Sequence, residues 1–286
     1  MNNFGCLPKQ YTNPRQALFS VIPVPYDLTS TYGAGSRRGP AAILEASANM
    51  ELFDEQLLQE TYLCGIHTDD VLEVDARGPK YMVESVYRRT KKHLRAKRVP
   101  VLLGGEHSVS FGAFRAVHEV HPHLTVLHLD AHADLRDSYQ KSPFSHACVA
   151  RRMADLSPLV QVGIRSISSE DNRFLEHATH IKTFTADHIH STPSWQEAAL
   201  PLLQGEVYLT LDLDVFDPSI MPATGTPEPN GLSWRDVTLF LAAVSRQARI
   251  VGFDVVELAP LPGIVAPDFL TAKLIYHVMG LISRSR

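Results

Sequence analysis

Between residues 128 and 134 the chain reads HLDAHAD, so that His128, Asp130, His132 and Asp134 alternate with Leu129, Ala131 and Ala133. In an extended segment residues two apart share a face. That face would carry two imidazoles and two carboxylates, a donor set suited to metal ligation or proton transfer. The preceding LTVL at 124–127 is apolar on both faces, as in a strand covered by helices on either side. The polar groups therefore stand where a buried strand emerges. A metal or catalytic site fits that placement; on this stretch alone, so does an edge strand with one wet face.

Three further apolar runs end in comparable residues. VPVLLGGEHS (99–108) passes through Gly104 and Gly105 to Glu106, His107 and Ser108, and the glycines permit a tight turn with close backbone approach. VYLTLDLDVFDP (207–218) places Asp212 and Asp214 two apart. Asp217-Pro218 reads as the turn that closes the strand. Asp212 has no such explanation, because an acid inside an apolar run costs several kcal/mol unless paired or metal-bound. IVGFDVVELAP (250–260) carries Asp254 and Glu257, each of which, taken singly, reads as a surface acid beyond the sheet. Taken together, four strands deliver His107, then Asp130, His132 and Asp134, then Asp212 and Asp214, then Glu257, all at carboxyl ends. So many carboxylates repel one another unless cations lie among them. Asp130, Asp134, Asp212 and Asp214 at −1 each, with two neutral imidazoles, carry −4, which two divalent ions cancel. Oxygen-rich ligation with some imidazole and no thiolate favours manganese over zinc. Two such ions sharing carboxylates would hold a bridging hydroxide at neutral pH.

The elements that must position these groups follow from apolar runs alternating with amphipathic stretches. Strands are predicted at Ala17–Ile22, Tyr62–Ile66, Pro100–Leu103, Leu124–Asp130, Leu159–Ile164, Ile181–Phe184, Val207–Asp212 and Ile250–Val255. Helices are predicted at about Pro40–Phe53, Lys80–Lys97, Val109–His121, Phe144–Asp155, Ser168–His177, Ser194–Leu203, Ser233–Arg246 and Pro267–Ile282. Pro40 suits a first helical turn, and Ser233 with Asp236 has the outline of a capping box. The alternation implies an α/β chain: a three-layer α/β/α sandwich with a mostly parallel sheet of about eight strands, binding ligands beyond the strands' carboxyl ends. A closed eight-stranded barrel is the alternative. No repeat, low-complexity segment or linker divides the chain, so residues 1–286 read as a single domain.

Composition narrows the class further. With 44% hydrophobic and 20% charged residues the chain is an ordinary soluble globular one, and a formal charge of −4 offers no footprint for nucleic acid. Cys6, Cys64 and Cys148 are too widely spaced for a disulfide framework. No run approaches the ~20 apolar residues of a membrane helix, and the N-terminus lacks the pattern of a signal peptide. The expected place is the cytoplasm, without nucleic-acid or membrane partners.

The segments GGEHS, DAHADLRD, SHACVARR, LDLDVFDPSIMPATGTPEPNGLSW and DVVELAP resemble, in order, the signature blocks of the ureohydrolase (arginase/agmatinase) family, and TYGAGSRRGPAAILEAS resembles its N-terminal region. The resemblance implies two manganese ions per subunit. One would be held by His107, Asp130, Asp134 and Asp212, and the other by Asp130, His132, Asp212 and Asp214. It places His146 as the proton-shuttling histidine and Glu257 as the partner of the guanidinium; in the hydrolysis expected from this set, Asp134 would pass the hydroxide's proton to the leaving amine. It also implies the α/β/α fold and a homo-oligomer, a trimer or hexamer. Two positions depart from the family pattern. Asn230 replaces an expected glycine, and asparagine tolerates left-handed backbone; Leu44 stands where many members carry arginine. His128 matches no family ligand and reads as a packed or supporting histidine, Cys148 as buried filler, and Ser108 as a supporting hydroxyl. Arginases carry an asparagine at the position of Arg136, so DLRDSY and SHACVARR are more similar to the agmatinase branch. The implied reaction converts a small cationic guanidino compound to urea and an amine, with agmatine, giving putrescine, placed first. Aminopropylagmatine and guanidinobutyrate follow. Hydrolysis of an amide or formimino bond, or a silent regulatory member, are the competing readings.

Overall fold

The computed structural model describes residues 3–285. Among them, the apolar runs form eight strands: β1 (Phe19–Val24), β2 (Ile66–Thr68), β3 (Val99–Gly104), β4 (Thr125–Leu129), β5 (Leu159–Ile164), β6 (Ile181–Thr185), β7 (Gly205–Asp212) and β8 (Ala248–Val256). The helices are α1 (Lys9–Thr12), α2 (Gly39–Ser47), α3 (Pro79–Arg95), α4 (Ser110–Val120), α5 (Val149–Ala154), α6 (Ser169–Leu175), α7 (Ala186–Ser191), α8 (Trp195–Ala199), α9 (Trp234–Gln247) and α10 (Ala266–Arg284). Every strand pairing is parallel, in the order β2-β1-β3-β8-β7-β4-β5-β6. The terminal strands β2 and β6 lie at opposite edges, so the sheet is open and the barrel alternative falls.

Helices on both faces explain why the strands are apolar throughout rather than alternating. Leu102, Val126 and Tyr208 pack under α3 and α4 with Val86, Phe114 and Val117. Their sequence neighbours Val101, Leu103, Leu127 and Leu209 face the opposite layer, among Ile43, Phe240 and Ile275 of α2, α9 and α10. This is the three-layer sandwich expected. The central strands β3, β8, β7 and β4 are adjacent, so their carboxyl ends converge on one point of the upper rim. Among the described residues no helix is long and apolar enough to cross a membrane.

Element ends differ from the sequence expectation where local chemistry intervenes. The strand expected at Tyr62–Ile66 is a 3-10 turn, Thr61–Cys64, followed by β2. Gly65, at φ 81°, makes the break. The helix expected at Ser194–Leu203 stops at Ala199 and continues as a 3-10 turn containing Pro201, which has no N–H to carry an α-helical ladder. The helix expected at Phe144–Asp155 is shorter, with a 3-10 turn His146–Cys148 leading into α5. Helix α2 ends at Ser47 rather than Phe53, its last carbonyls taken by the side chains of Ser47 and Asn49. Pro40 does sit in its first turn, and Ser233–Asp236 forms the capping box, as Ser168–Asp171 does for α6.

Gly105 shows how the fold holds the rim. A β-carbon there would lie 2.0 Å from the Tyr26 carbonyl oxygen. That carbonyl accepts from the Glu106 amide at 2.7 Å, and the Gly105 carbonyl accepts from the Glu257 amide at 2.7 Å. The Gly105–Glu106 pair thus fastens the segments leaving β1, β3 and β8. Gly105→Ala must push them apart, and overpacking of this kind costs about 1–3 kcal/mol. We expect a clearly lowered melting temperature; an alanine variant melting with the wild type would show that the close approach is not a constraint.

Candidate metal centre

His107 opens the turn between β3 and α4 and is buried. Its Nε2 lies 2.8 Å from Thr210 Oγ1, and the Thr210 hydroxyl donates to Asp254 Oδ1 at 2.7 Å. With that hydrogen given to Asp254, the threonine oxygen accepts from His107 Nε2–H, which leaves the Nδ1 lone pair free. Nδ1 is buried with no hydrogen-bond partner among the described residues. It stands 3.1 Å from Asp130 Oδ2, 3.4 Å from Asp134 Oδ2 and 3.3 Å from Asp212 Oδ2. A lone pair facing three carboxylate oxygens is repulsive unless a cation lies between them. Burial alone would lower the pKa of this ring, yet Asp130, Asp134 and Asp212 outweigh it and raise it well above the ordinary imidazole range. A proton or a metal ion must join these groups.

A second cluster shares Asp130. His132 Nδ1 lies 2.8 Å from Asp214 Oδ2 and 3.6 Å from Asp130 Oδ1. Burial opposes its protonation, but Asp214 and Asp130 push the ring up to about 12. Asp212 Oδ1 accepts from the Asp214 amide at 2.9 Å, and Asp214 Oδ1 accepts from the Ala131 amide at 2.9 Å. Burial, and then Asp214 and Asp130, push the Asp212 carboxyl well above the usual range, and Asp214 is raised by burial and by Asp130. These shifts mark a cluster too negative for its surroundings, with protons as the counter-charge. Two divalent cations would replace those protons: donor atoms of His107, His128, Asp130 and Asp134 lie close enough together for one ion, and those of Asp130, His132 and Asp214 for another.

His128 is no free ligand. Gln161 Nε2 donates to its Nδ1 at 3.0 Å, so Nε2 carries the hydrogen and donates to Asp130 Oδ2 at 2.7 Å. It is the packed, supporting histidine expected from sequence.

Above the strand ends lies a cleft of roughly 280 Å³. His107, His132, Asp134, His146, Asp212, Asp214 and Glu257 all line it, while Asp130 is sealed beneath. Asp134 and Glu257 adopt left-handed backbone, at φ 52° and 67°. Such angles are uncommon for residues with side chains and cluster at functional sites. Glu257 Oε1 accepts from the His107 amide at 2.6 Å, and burial followed by the nearby Glu106 pushes its carboxyl up to about 8. His146 Nδ1 lies 3.1 Å from Thr29 Oγ1, and its ring meets Tyr139 edge-on with centroids 6.0 Å apart.

Some groups were invisible or misread in the sequence. Asp254 is no surface acid: it is wholly buried and accepts from Tyr208, Thr210 and Ser110 hydroxyls at 2.6–2.8 Å. Its place inside an apolar run, the argument applied to Asp212, was the available signal. Asp171 and Tyr139, which line the cleft, carried none. Arg136 and Asp137 do not pair with each other. Asp137 turns out to Arg152 at 2.8 Å, whereas Arg136 lies over the Tyr139 ring in the cleft wall. Asn230 takes the left-handed turn at φ 64°, Leu44 and Cys148 are buried in the core, and Ser108 donates to Glu106. Asp217 holds its turn, accepting from the Ser219 and Gly231 amides at 3.0 Å each.

The sequence model of the arginase family matches residues 17–280. The chain belongs to the arginase family. Among curated relatives, the N(1)-aminopropylagmatine ureohydrolase of Thermus thermophilus is 40% identical over 93% of this chain and 90% of its own. The enzyme of the same name from Synechocystis is 35% identical over 100% of this chain and 97% of its own. Among solved structures, the agmatine ureohydrolase of Thermoplasma volcanium superposes with a TM-score of 0.87 at 29% identity, over 99% of this chain and 95% of that one. The agmatinase-like resemblance read from GGEHS, DAHADLRD and DVVELAP is borne out, and so is the fold of this arginase-family chain.

The geometry separates two aspartates five residues apart in one segment. Asp212→Asn should lose divalent metal affinity roughly tenfold or more, together with thermal stability. Asp217→Asn should keep metal affinity near wild type and lose only a little stability, because the asparagine oxygen still accepts one of the two amide hydrogens that Asp217 takes on separate oxygens at this turn. Elemental analysis and melting curves check this; equal behaviour of the two variants would refute the division.

Proposed function

We propose that the protein is a dinuclear manganese hydrolase that releases urea from a guanidino compound ending in an amine, with residues 1–286 forming one ureohydrolase unit. The observation that carries this reading is His107 Nδ1, buried and unpartnered among three carboxylates. His107, Asp130, Asp134 and Asp212 would hold one ion; Asp130, His132, Asp212 and Asp214 would hold the other. Bound there, two divalent ions lower the pKa of a shared water so that hydroxide is supplied at neutral pH.

A guanidinium is resonance-stabilised and fully protonated, hence a poor electrophile that needs fixed orientation. Glu257 supplies it. With Oε1 held by the His107 amide, the second oxygen is left to accept guanidinium N–H groups in charge-assisted bonds. A cationic substrate beside it favours the carboxylate that burial otherwise resists. Hydroxide adds to the guanidinium carbon, the Asp134 carboxylate takes the proton that remains on the added oxygen, and as the carbon–nitrogen bond breaks it hands that proton to the leaving amine, leaving urea. His146 then exchanges protons with solvent through Nε2.

The substrate's far end meets the outer wall, which includes Arg136, Tyr139 and Asp171. Asp171 Oδ2 accepts from the Ser168 amide and hydroxyl, while Oδ1 is buried with no partner among the described residues. A buried carboxylate oxygen without a donor suits an ammonium or secondary amine. Agmatine and aminopropylagmatine both meet that description, and the names of the two relatives above weigh toward the longer one. The family resemblance further supports a homo-oligomer, a trimer or hexamer, and the three widely spaced cysteines suit the cytoplasm.

Dialysis against a chelator should abolish urea release, and manganese should restore it better than magnesium or zinc; full activity in metal-free protein would sink the dinuclear reading. With the manganese-loaded enzyme, kcat/KM for aminopropylagmatine and agmatine should exceed that for arginine and guanidinobutyrate. A preference for arginine would overturn the amine assignment. Asp171→Asn should raise KM for the amine substrates roughly 10–100-fold, the equivalent of a lost charge-assisted contact. An unchanged KM would remove Asp171 from the recognition of the far end.

A further inference from the structure

We infer that Thr29 is a positioning residue that fixes the tautomer and orientation of His146. The inference rests on the reading that His146 exchanges protons during hydrolysis. Thr29 lies in the segment after β1, and its backbone amide donates to Glu106 Oε2 at 2.5 Å while its hydroxyl donates to Glu106 Oε1 at 2.7 Å. Glu106 is wholly buried and also accepts from the Ser108 hydroxyl at 2.5 Å, so three donors anchor the carboxylate. The same Thr29 oxygen accepts from the His146 amide at 3.2 Å and stands 3.1 Å from His146 Nδ1.

A hydroxyl has one hydrogen and two lone pairs. Here the hydrogen goes to Glu106 and one lone pair to the His146 amide. The remaining lone pair is what faces Nδ1, so Nδ1 must carry the ring hydrogen. Ser145 Oγ is farther off, at 3.4 Å. Nε2 is therefore left with a free lone pair, the form that can take a proton. Backbone and ring of His146 are held by one oxygen, so both its position and its rotation are set by Thr29. The protein builds the same device at His107, where Thr210 takes the ring hydrogen and passes its own to buried Asp254. There Nε2 is held and Nδ1 left bare; at His146 the roles of the two nitrogens are reversed.

Thr29→Val keeps the shape and removes the hydroxyl. Its kcat should fall about 10-fold to 100-fold, a share of what general acid–base help typically gives, with KM within about twofold, metal content unchanged and the melting temperature lowered by only about 2–4 °C for the lost hydroxyl contacts. Thr29→Ser should recover most of the loss. In the His146→Asn background, adding Thr29→Val should cost nothing further, because Thr29 acts only through the missing ring. Long-range nitrogen–proton NMR of histidine-labelled protein should show His146 as the Nδ1–H tautomer in the wild type and not in Thr29→Val. An equal loss from Thr29→Val in both backgrounds, or an Nε2–H tautomer in the wild type, would overturn the inference. Reduced turnover in His146→Asn beside an intact Thr29→Val removes the role of Thr29 alone. Full turnover in His146→Asn overturns the shuttle reading and this inference with it.

Discussion

Negative charge crowded into a dry place is the constraint on which this structure turns. Asp130 is wholly buried and Asp212 and Asp214 nearly so, at a depth where like charges within a few ångströms cannot all remain ionised unaided. The compensation is uneven. Burial would raise Asp130, but His128, His107 and His132 surround it and hold its carboxyl well below the ordinary range. Asp212 has His107 alone against Asp214 and Asp130, and is driven the other way. The two carboxylates proposed as bridges are thus inequivalent before any ion arrives: one is already stabilised as an anion, the other depends on incoming positive charge.

Holding such a cluster demands that every lever around it be fixed. Parallel strands covered on both faces present their carboxyl ends as a rigid rim, and the side chains beneath the rim are tied by hydroxyls and amides rather than left to find rotamers. Gln161 orients His128, Thr210 orients His107, and the Ala131 amide orients Asp214. Arg165, just beyond β5, spreads its guanidinium over the carbonyls of Asp214, Phe216 and Glu228 and so pins the segment that follows β7. Left-handed backbone at Asp134 and Glu257 costs of order 1–3 kcal/mol each. That cost is tolerable because two continuous apolar layers stabilise the sheet below it.

Much of this was readable from residue order. An acid inside an apolar strand is expensive, so Asp130 and Asp212 announced themselves, and the alternation of HLDAHAD assigned their neighbours to one face. The same reasoning applied to Asp254 would have found it, but its three hydroxyl partners come from α4 and β7, and no spacing along the chain reveals them. Thr29 and Glu106 are separated from His146 in sequence by long stretches, and their meeting is a property of the fold. Arg136 and Asp137 are adjacent, yet one faces the cleft and the other α5, which adjacency alone does not decide. Element types were legible from periodicity. Their ends were not, because a single Gly65 or Pro201 moves a boundary by several residues.

The strand order also has a consequence for how the protein comes into being. During synthesis β1 to β6 emerge first, yet in the finished sheet β2-β1-β3 and β4-β5-β6 are not neighbours. The last two strands, β8 and β7, fill the gap between them. Until that central pair inserts, His107 belongs to one half-sheet and Asp130, His132 and Asp134 to the other, with Asp212, Asp214 and Glu257 still to come. The cluster therefore stays incomplete until then, and long-range closure is the slow kind of folding event. Its assembly is a closing act of folding, because its residues meet only after β7 and β8 have inserted.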